Sequence, residues 1–148
     1  MSFPDEWNKP PMTTAEYREA AAKATKENAF QAQVIRFARE LGWLVHHCRP
    51  VVTQSGRAMT PIQGDSGFPD LVMTLHDPED ESRDRCIVAE LKSFRGRRDF
   101  QHGQQEWLTA WRAIEQRTKG AVRAFVWTPM DWDDIERELK EGTNAGTD

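Results

Sequence analysis

Between residues 43 and 92 the chain carries three β-like segments with no helical stretch between them, and one helical stretch then separates the third from a fourth. The segments are 43–49 (WLVHHCR), 70–76 (DLVMTLH), 85–92 (RCIVAELK) and 121–128 (AVRAFVWT), rich in β-branched and aromatic residues and bounded by Gly, Pro and Asp. Strands joined by loops pair antiparallel, whereas a strand reached through a helix returns parallel, so this order predicts a mixed sheet.

The helical periodicities fit that sheet. Thr13 and Thr14 offer N-caps for a stretch rich in Ala, Glu, Lys and Arg, in which Phe30, Val34, Phe37, Ala38 and Leu41 recur at offsets of three and four before Gly42. A second helix is predicted from about His102 to Lys119, with Trp107, Leu108, Trp111 and Ile114 as its apolar face. Pro129 stops the fourth strand, and a last helix capped by Asp131 would pack Ile135 and Leu139. The expected order is α-β-β-β-α-β-α, an α/β fold whose mixed central sheet is flanked by helices. The 148 residues suit one domain, 13–141, between a Pro-rich tail at 1–12 and a small polar tail at 142–148, both expected to be disordered.

No apolar run approaches the ~20 residues that span a bilayer, and the acids and prolines of MSFPDEWNKPP do not make a signal peptide, so no membrane partner is expected. Two cysteines, Cys48 and Cys86, have no metal-ligand spacing and read as reduced thiols in a cytoplasmic protein; a zinc site built on them is set aside. The net charge of −4 is unevenly spread: beyond Met130 seven acids face only Arg137 and Lys140, and residues 1–129 are left with 18 basic and 17 acidic side chains. Lys92, Arg95, Arg97 and Arg98 fall within seven residues that hold no acid. That run reads equally as a solvated loop or as a phosphate-contacting one.

Three acids sit where patterning alone would not put them. Glu90 interrupts the apolar strand of Ile87, Val88, Ala89 and Leu91, and Lys92, two residues on, shares its face. Asp70 opens the preceding strand after Gly67-Phe68-Pro69, where the glycine permits a sharp approach and the proline stiffens the chain. Neighbouring strands lie ~4.8 Å apart, so the two carboxylates can share a hard divalent cation if their registers meet. Glu27 lies on the helical stripe of Phe30, Gln31, Val34 and Leu41, and reads either as an ordinary acid near a helix start or as a third carboxylate of the site. The Pro-Asp and Glu-x-Lys halves recur at Pro4-Asp5 and Glu138-Leu139-Lys140. The first has no strand after it, and in a helix residues two apart diverge by about 200°.

With these residues the chain resembles the PD-(D/E)XK nuclease superfamily, and within it the VRR-NUC family of small phage and bacterial nucleases. The matching stretches are KENAFQAQVIRFARELGWLVHH, GDSGFPDLVM, IVAELKSFRG, QQEWL and FVWTPMDWDDI, in that order. The helix start with Glu27 and Gln31, and the helix with Gln104, Trp107 and Leu108, make the likeness more specific than the triad does. The resemblance implies the restriction-endonuclease-like core and one or two Mg²⁺ or Mn²⁺ ions. It implies Asp70, Glu90 and the Leu91 carbonyl as ligands, Lys92 beside the attacking water, Glu27 on a second or water-mediated ion, and Gln104 reaching back to the same site. Arg57, within the long segment Pro50–Asp65, joins Arg95, Arg97, Arg98, Gln31 and His47 as candidate DNA contacts; only one of His46 and His47 can face the site. The implied substrate is branched DNA such as a Holliday junction, cut by a homodimer in a bacterial cell or a phage-infected host, with no small-molecule cofactor. The rival readings are a non-catalytic DNA-binding subunit and a nuclease acting on RNA or on DNA ends. The tryptophans Trp107, Trp111, Trp127 and Trp132 are expected to be core packing rather than base-stacking groups.

Overall fold

The computed structural model describes Pro11 and residues 13–47, 51–52, 58–59, 64–93, 100 and 102–141, without the side chains of Tyr17, 19–27 and the strands 51–52 and 58–59. Helix α1 (Thr14–Glu40) starts in a capping box: Thr13 Oγ1 accepts the Glu16 N–H (3.2 Å) and Glu16 accepts the Thr13 N–H (2.9 Å). These bonds satisfy amides that the first turn cannot pair within the helix. It stops because Gly42 adopts φ 95°, a left-handed conformation that costs glycine little, and the Trp43 N–H then closes on the Ala38 carbonyl (3.0 Å).

Strand β1 (Leu44–His47) follows, then the short pair β2 (Val51–Val52) and β3 (Ala58–Met59), β4 (Leu71–Leu75), β5 (Arg85–Leu91), α2 (Gln104–Arg117), β6 (Val122–Trp127) and α3 (Trp132–Glu141). The main sheet has the order β1-β4-β5-β6: β1, β4 and β5 are antiparallel neighbours, and β6 joins β5 in parallel through α2. This is the predicted mixed sheet. Within the long segment Pro50–Asp65, β2 and β3 pair with each other and, among the described residues, not with the main sheet.

Alternation along the strands gives the sheet two faces. Leu71, Met73, Ile87, Ala89 and Trp127 join Phe30, Val34 and Ala38 of α1 and Ile135 and Leu139 of α3 in the buried core. The indole N–H of Trp43, at the start of β1, donates to the Leu139 carbonyl (3.0 Å) and ties α3 down beside α1.

The opposite face is thinner. Helix α2 lies against β6 there, and of its predicted apolar stripe only Leu108 is buried; Trp107 and Trp111 are half-buried and Ile114 is exposed. Core packing therefore holds for Trp127, and the half-buried Trp132 packs against the same core, edge-to-face on Phe37. A stripe reveals which side of a helix is apolar, not how much sheet lies beneath it. The cap of α3 also differs from expectation: Thr128 precedes a 3₁₀ turn (Pro129–Asp131), and Asp131 accepts back from the Thr128 N–H (2.9 Å). Among the described residues no helix is long and apolar enough to cross a membrane. Residues 1–10 and 142–148, which hold the expected tails, lie outside the described residues, as does Cys48.

Candidate active site

The parallel pair β5-β6 fixes one end of the sheet as the place where strand C-termini converge, the position at which open α/β sheets commonly bind ligands. The antiparallel register of β4 and β5 runs Leu75↔Arg85 to Leu71↔Ala89. Continued by one residue, it sets Asp70 opposite Glu90, the coincidence that two carboxylates on neighbouring strands require. The ladder ends there because Asp70 substitutes its side chain for a backbone acceptor: its carboxylate accepts the Leu91 N–H at 2.8 Å. The N–H and C=O of an extended residue point to the same edge of its strand, so the Leu91 carbonyl also faces the Asp70 side.

Glu90 is 7% exposed although it is an acid. Burial pushes its carboxyl up to about 8, helped by the Asp70 charge and by a hydrogen bond between the two carboxyl groups, against a smaller opposing pull from Lys92. Lys92, beyond the end of β5, places its ammonium 3.6 Å from Glu90 and keeps its backbone on the Trp127 carbonyl (2.9 Å). Its stem is almost covered, and the ammonium lies over the Phe100 ring, 5.5 Å from the centroid.

Gln104, the first residue of α2, closes the group. Its amide N–H donates to Glu90 Oε1 (2.7 Å) and its carbonyl accepts from Lys92 Nζ (2.7 Å). An ammonium can only donate, so the amide must meet it with its carbonyl, and its N–H is left for the Glu90 oxygen.

The position of Gln104 follows from two glycines. Gly103 has φ 84° and Gly67 φ 89°. A Cβ on Gly67 would overlap the Gly103 backbone and the Gln104 nitrogen, and one on Gly103 would overlap the Ser66 carbonyl. The loop before Asp70 is thus pressed backbone to backbone onto the start of α2. Trp107 reinforces the contact: its indole N–H donates to the Ser66 carbonyl (3.0 Å), and its ring meets Phe68 edge-on at 5.0 Å. Sequence reading assigned Trp107 to the core and overlooked Phe68, Phe100 and Gly103. The signal present was a glycine placed directly before Gln104, matching the one three residues before Asp70.

The other expected site residues divide. The backbone of Glu27 lies in α1, about 21 Å of helix before Leu41. Its side chain lies outside the described residues, as do Arg57, Arg95, Arg97 and Arg98. Gln31, one turn on, is half-buried. His47 is paired with Leu71 and so shares the α1 face of the sheet, whereas Asp70 and Glu90 lie on the α2 face with the exposed His46. Among the described residues no three His, Cys, Asp or Glu side chains come together as a metal-binding group. The decoy Glu138 and Lys140 are spent on α3, where Glu138 holds Arg123 at 2.7 Å and Lys140 holds Glu136 at 2.9 Å.

Compared with known protein families, with characterised proteins and with solved structures, the chain matches none. The functional reading therefore rests on the geometry of the site and on the sequence motifs.

Proposed function

We propose that the chain is a metal-dependent nuclease of the PD-(D/E)XK type, acting on DNA phosphodiesters. The observation that carries this reading is the pair Asp70–Glu90, two carboxyls set side by side by the register of adjacent strands, with Lys92 and Gln104 bonded into the same cluster. A buried carboxyl held against a second, half-exposed one is an arrangement that a cation would neutralise. The oxygens available, from Asp70, Glu90 and the Leu91 carbonyl, are the hard donors that Mg²⁺ and Mn²⁺ prefer. When bound there, such an ion would supply a water of lowered pKa and neutralise charge on the phosphate.

The protein's own residues do the rest. Asp70 and Glu90 would hold the ion, Asp70 being fixed by the Leu91 N–H and Glu90 by Gln104. Lys92 presents its ammonium where negative charge develops at phosphorus, without the reorganisation that bulk water would need. Gln104 keeps the ammonium from collapsing onto Glu90, holding it 3.6 Å from the carboxylate. Glu27 is proposed as the third carboxylate, and the basic side chains after Lys92 as contacts to the DNA backbone that read no sequence. The preferred substrate is branched DNA, gripped by two copies of the chain. Purified protein with Mg²⁺ or Mn²⁺ should cut at least one of a four-way junction, flap, fork, duplex or single strand, and a chelator should stop it. A wild-type protein that binds these DNAs and leaves all of them intact would instead be the non-catalytic module.

A further inference from the structure

Phe68 is an exposed large apolar side chain (36%) two residues from Asp70. Phe68 is exposed, Pro69 buried and Asp70 half-exposed, so the ring and the carboxylate both reach solvent within three residues. Two virtual bonds of 3.8 Å set the two Cα atoms at most about 7 Å apart. That is roughly two stacked base layers at 3.4 Å each along a nucleic-acid strand.

The ring is also held still. It meets Trp107 at an interplanar angle of 86°, Trp107 is anchored on Ser66, and the intervening Gly67 is pressed against Gly103. A solvent-exposed aromatic of fixed orientation has already lost the freedom that stacking would otherwise cost it. Such a ring offers a π-face to any unstacked base but nothing to a base already stacked within a duplex.

Resting on the nuclease reading of the adjacent carboxylates, we infer that Phe68 is a base-stacking subsite, which receives an unpaired nucleobase one or two nucleotides from the reacting phosphate and so favours strands with unstacked bases.

The test is equilibrium binding, by fluorescence anisotropy, of a labelled single-stranded DNA and a blunt duplex of the same sequence, in the Asp70→Asn background so that no cleavage intervenes. Phe68→Leu, which keeps a bulky apolar side chain against Trp107, should weaken single-strand binding about 5- to 100-fold and leave duplex binding within about twofold, the range expected for one lost stack. Phe68→Trp and Phe68→Tyr should restore it. Equal weakening of both DNAs by Phe68→Leu, an unchanged single-strand affinity, or no single-strand binding at all overturns the inference. Cleavage by the parent protein, measured separately, decides the nuclease reading: a parent that never cuts but loses single-strand binding with Phe68→Leu keeps the stacking subsite and loses the enzyme.

Discussion

A carboxyl that is buried against another carboxyl makes folding depend on pH in an unusual direction. The folded state raises Glu90 from 4.5 to about 8, so between those values the native protein holds a proton that the unfolded chain releases. The stability this provides is complete below about pH 4.5 and is lost as pH rises through about 8. Melting temperatures of metal-free protein should therefore fall steadily from pH 5 to pH 8.5, and Glu90→Gln, which is neutral throughout, should flatten that slope. A slope unchanged by Glu90→Gln would place the titrating group elsewhere. A divalent cation competes with the same proton, so its stabilising effect should be larger at pH 8 than at pH 6. At this scale Asp70, Glu90 and Lys92 were legible in the sequence because each breaks a local rule: an acid inside an apolar strand, a lysine on its face, an acid presented after Gly and Pro. Phe68 and Gly103 break no such rule. An exposed phenylalanine and a glycine before a helix are ordinary until the fold brings them beside a carboxylate.

Among the elements, the start of α2 is the part that aims chemistry at the sheet. Two glycines in the described chain have nearly the same left-handed backbone, Gly103 with φ 84° and Gly120 with φ 85°, but differ in surroundings. A Cβ on Gly103 would meet the Ser66 carbonyl, while one on Gly120 would meet nothing within 4 Å. Gly120→Ala should thus cost only the backbone strain, about 1–2 kcal/mol. Gly103→Ala should cost more, shift the fluorescence of Trp107 and weaken catalysis through Gln104, as urea unfolding and emission spectra would reveal. Equal losses at both glycines would mean that the loop and helix are not in close backbone contact. The helices and four main strands themselves were readable from periodicity, Gly42 and Pro129. The β2-β3 pair was not, because two-residue strands have no period to detect. Nor was the thin packing beneath Trp107, Trp111 and Ile114, because burial depends on neighbours remote in sequence.

Taken as a molecule, the chain has one well-filled side, where α1 and α3 cover the sheet, and one lightly covered side, where the candidate site opens beside α2. Trp43 on Leu139 and the buried Ile135 hold the filled side together. The α/β architecture followed from element order. Which end of the sheet carries the site is seen only from the parallel pair β5-β6 and the register of β4 on β5. The substrate did not follow, since a shared carboxylate geometry serves junctions, flaps and free ends alike. The central claim is that Asp70, Glu90, Lys92 and Gln104 form a nuclease centre, and it is tested most directly by single-turnover cleavage of the best substrate with Mg²⁺ or Mn²⁺. Wild type should cut; Asp70→Asn should cut below detection; Lys92→Ala should be slowed about 10²- to 10³-fold, as expected for one lost electrostatic contact to the transition state. Wild-type protein that leaves every substrate intact, or Asp70→Asn that cuts as fast as wild type, would contradict it.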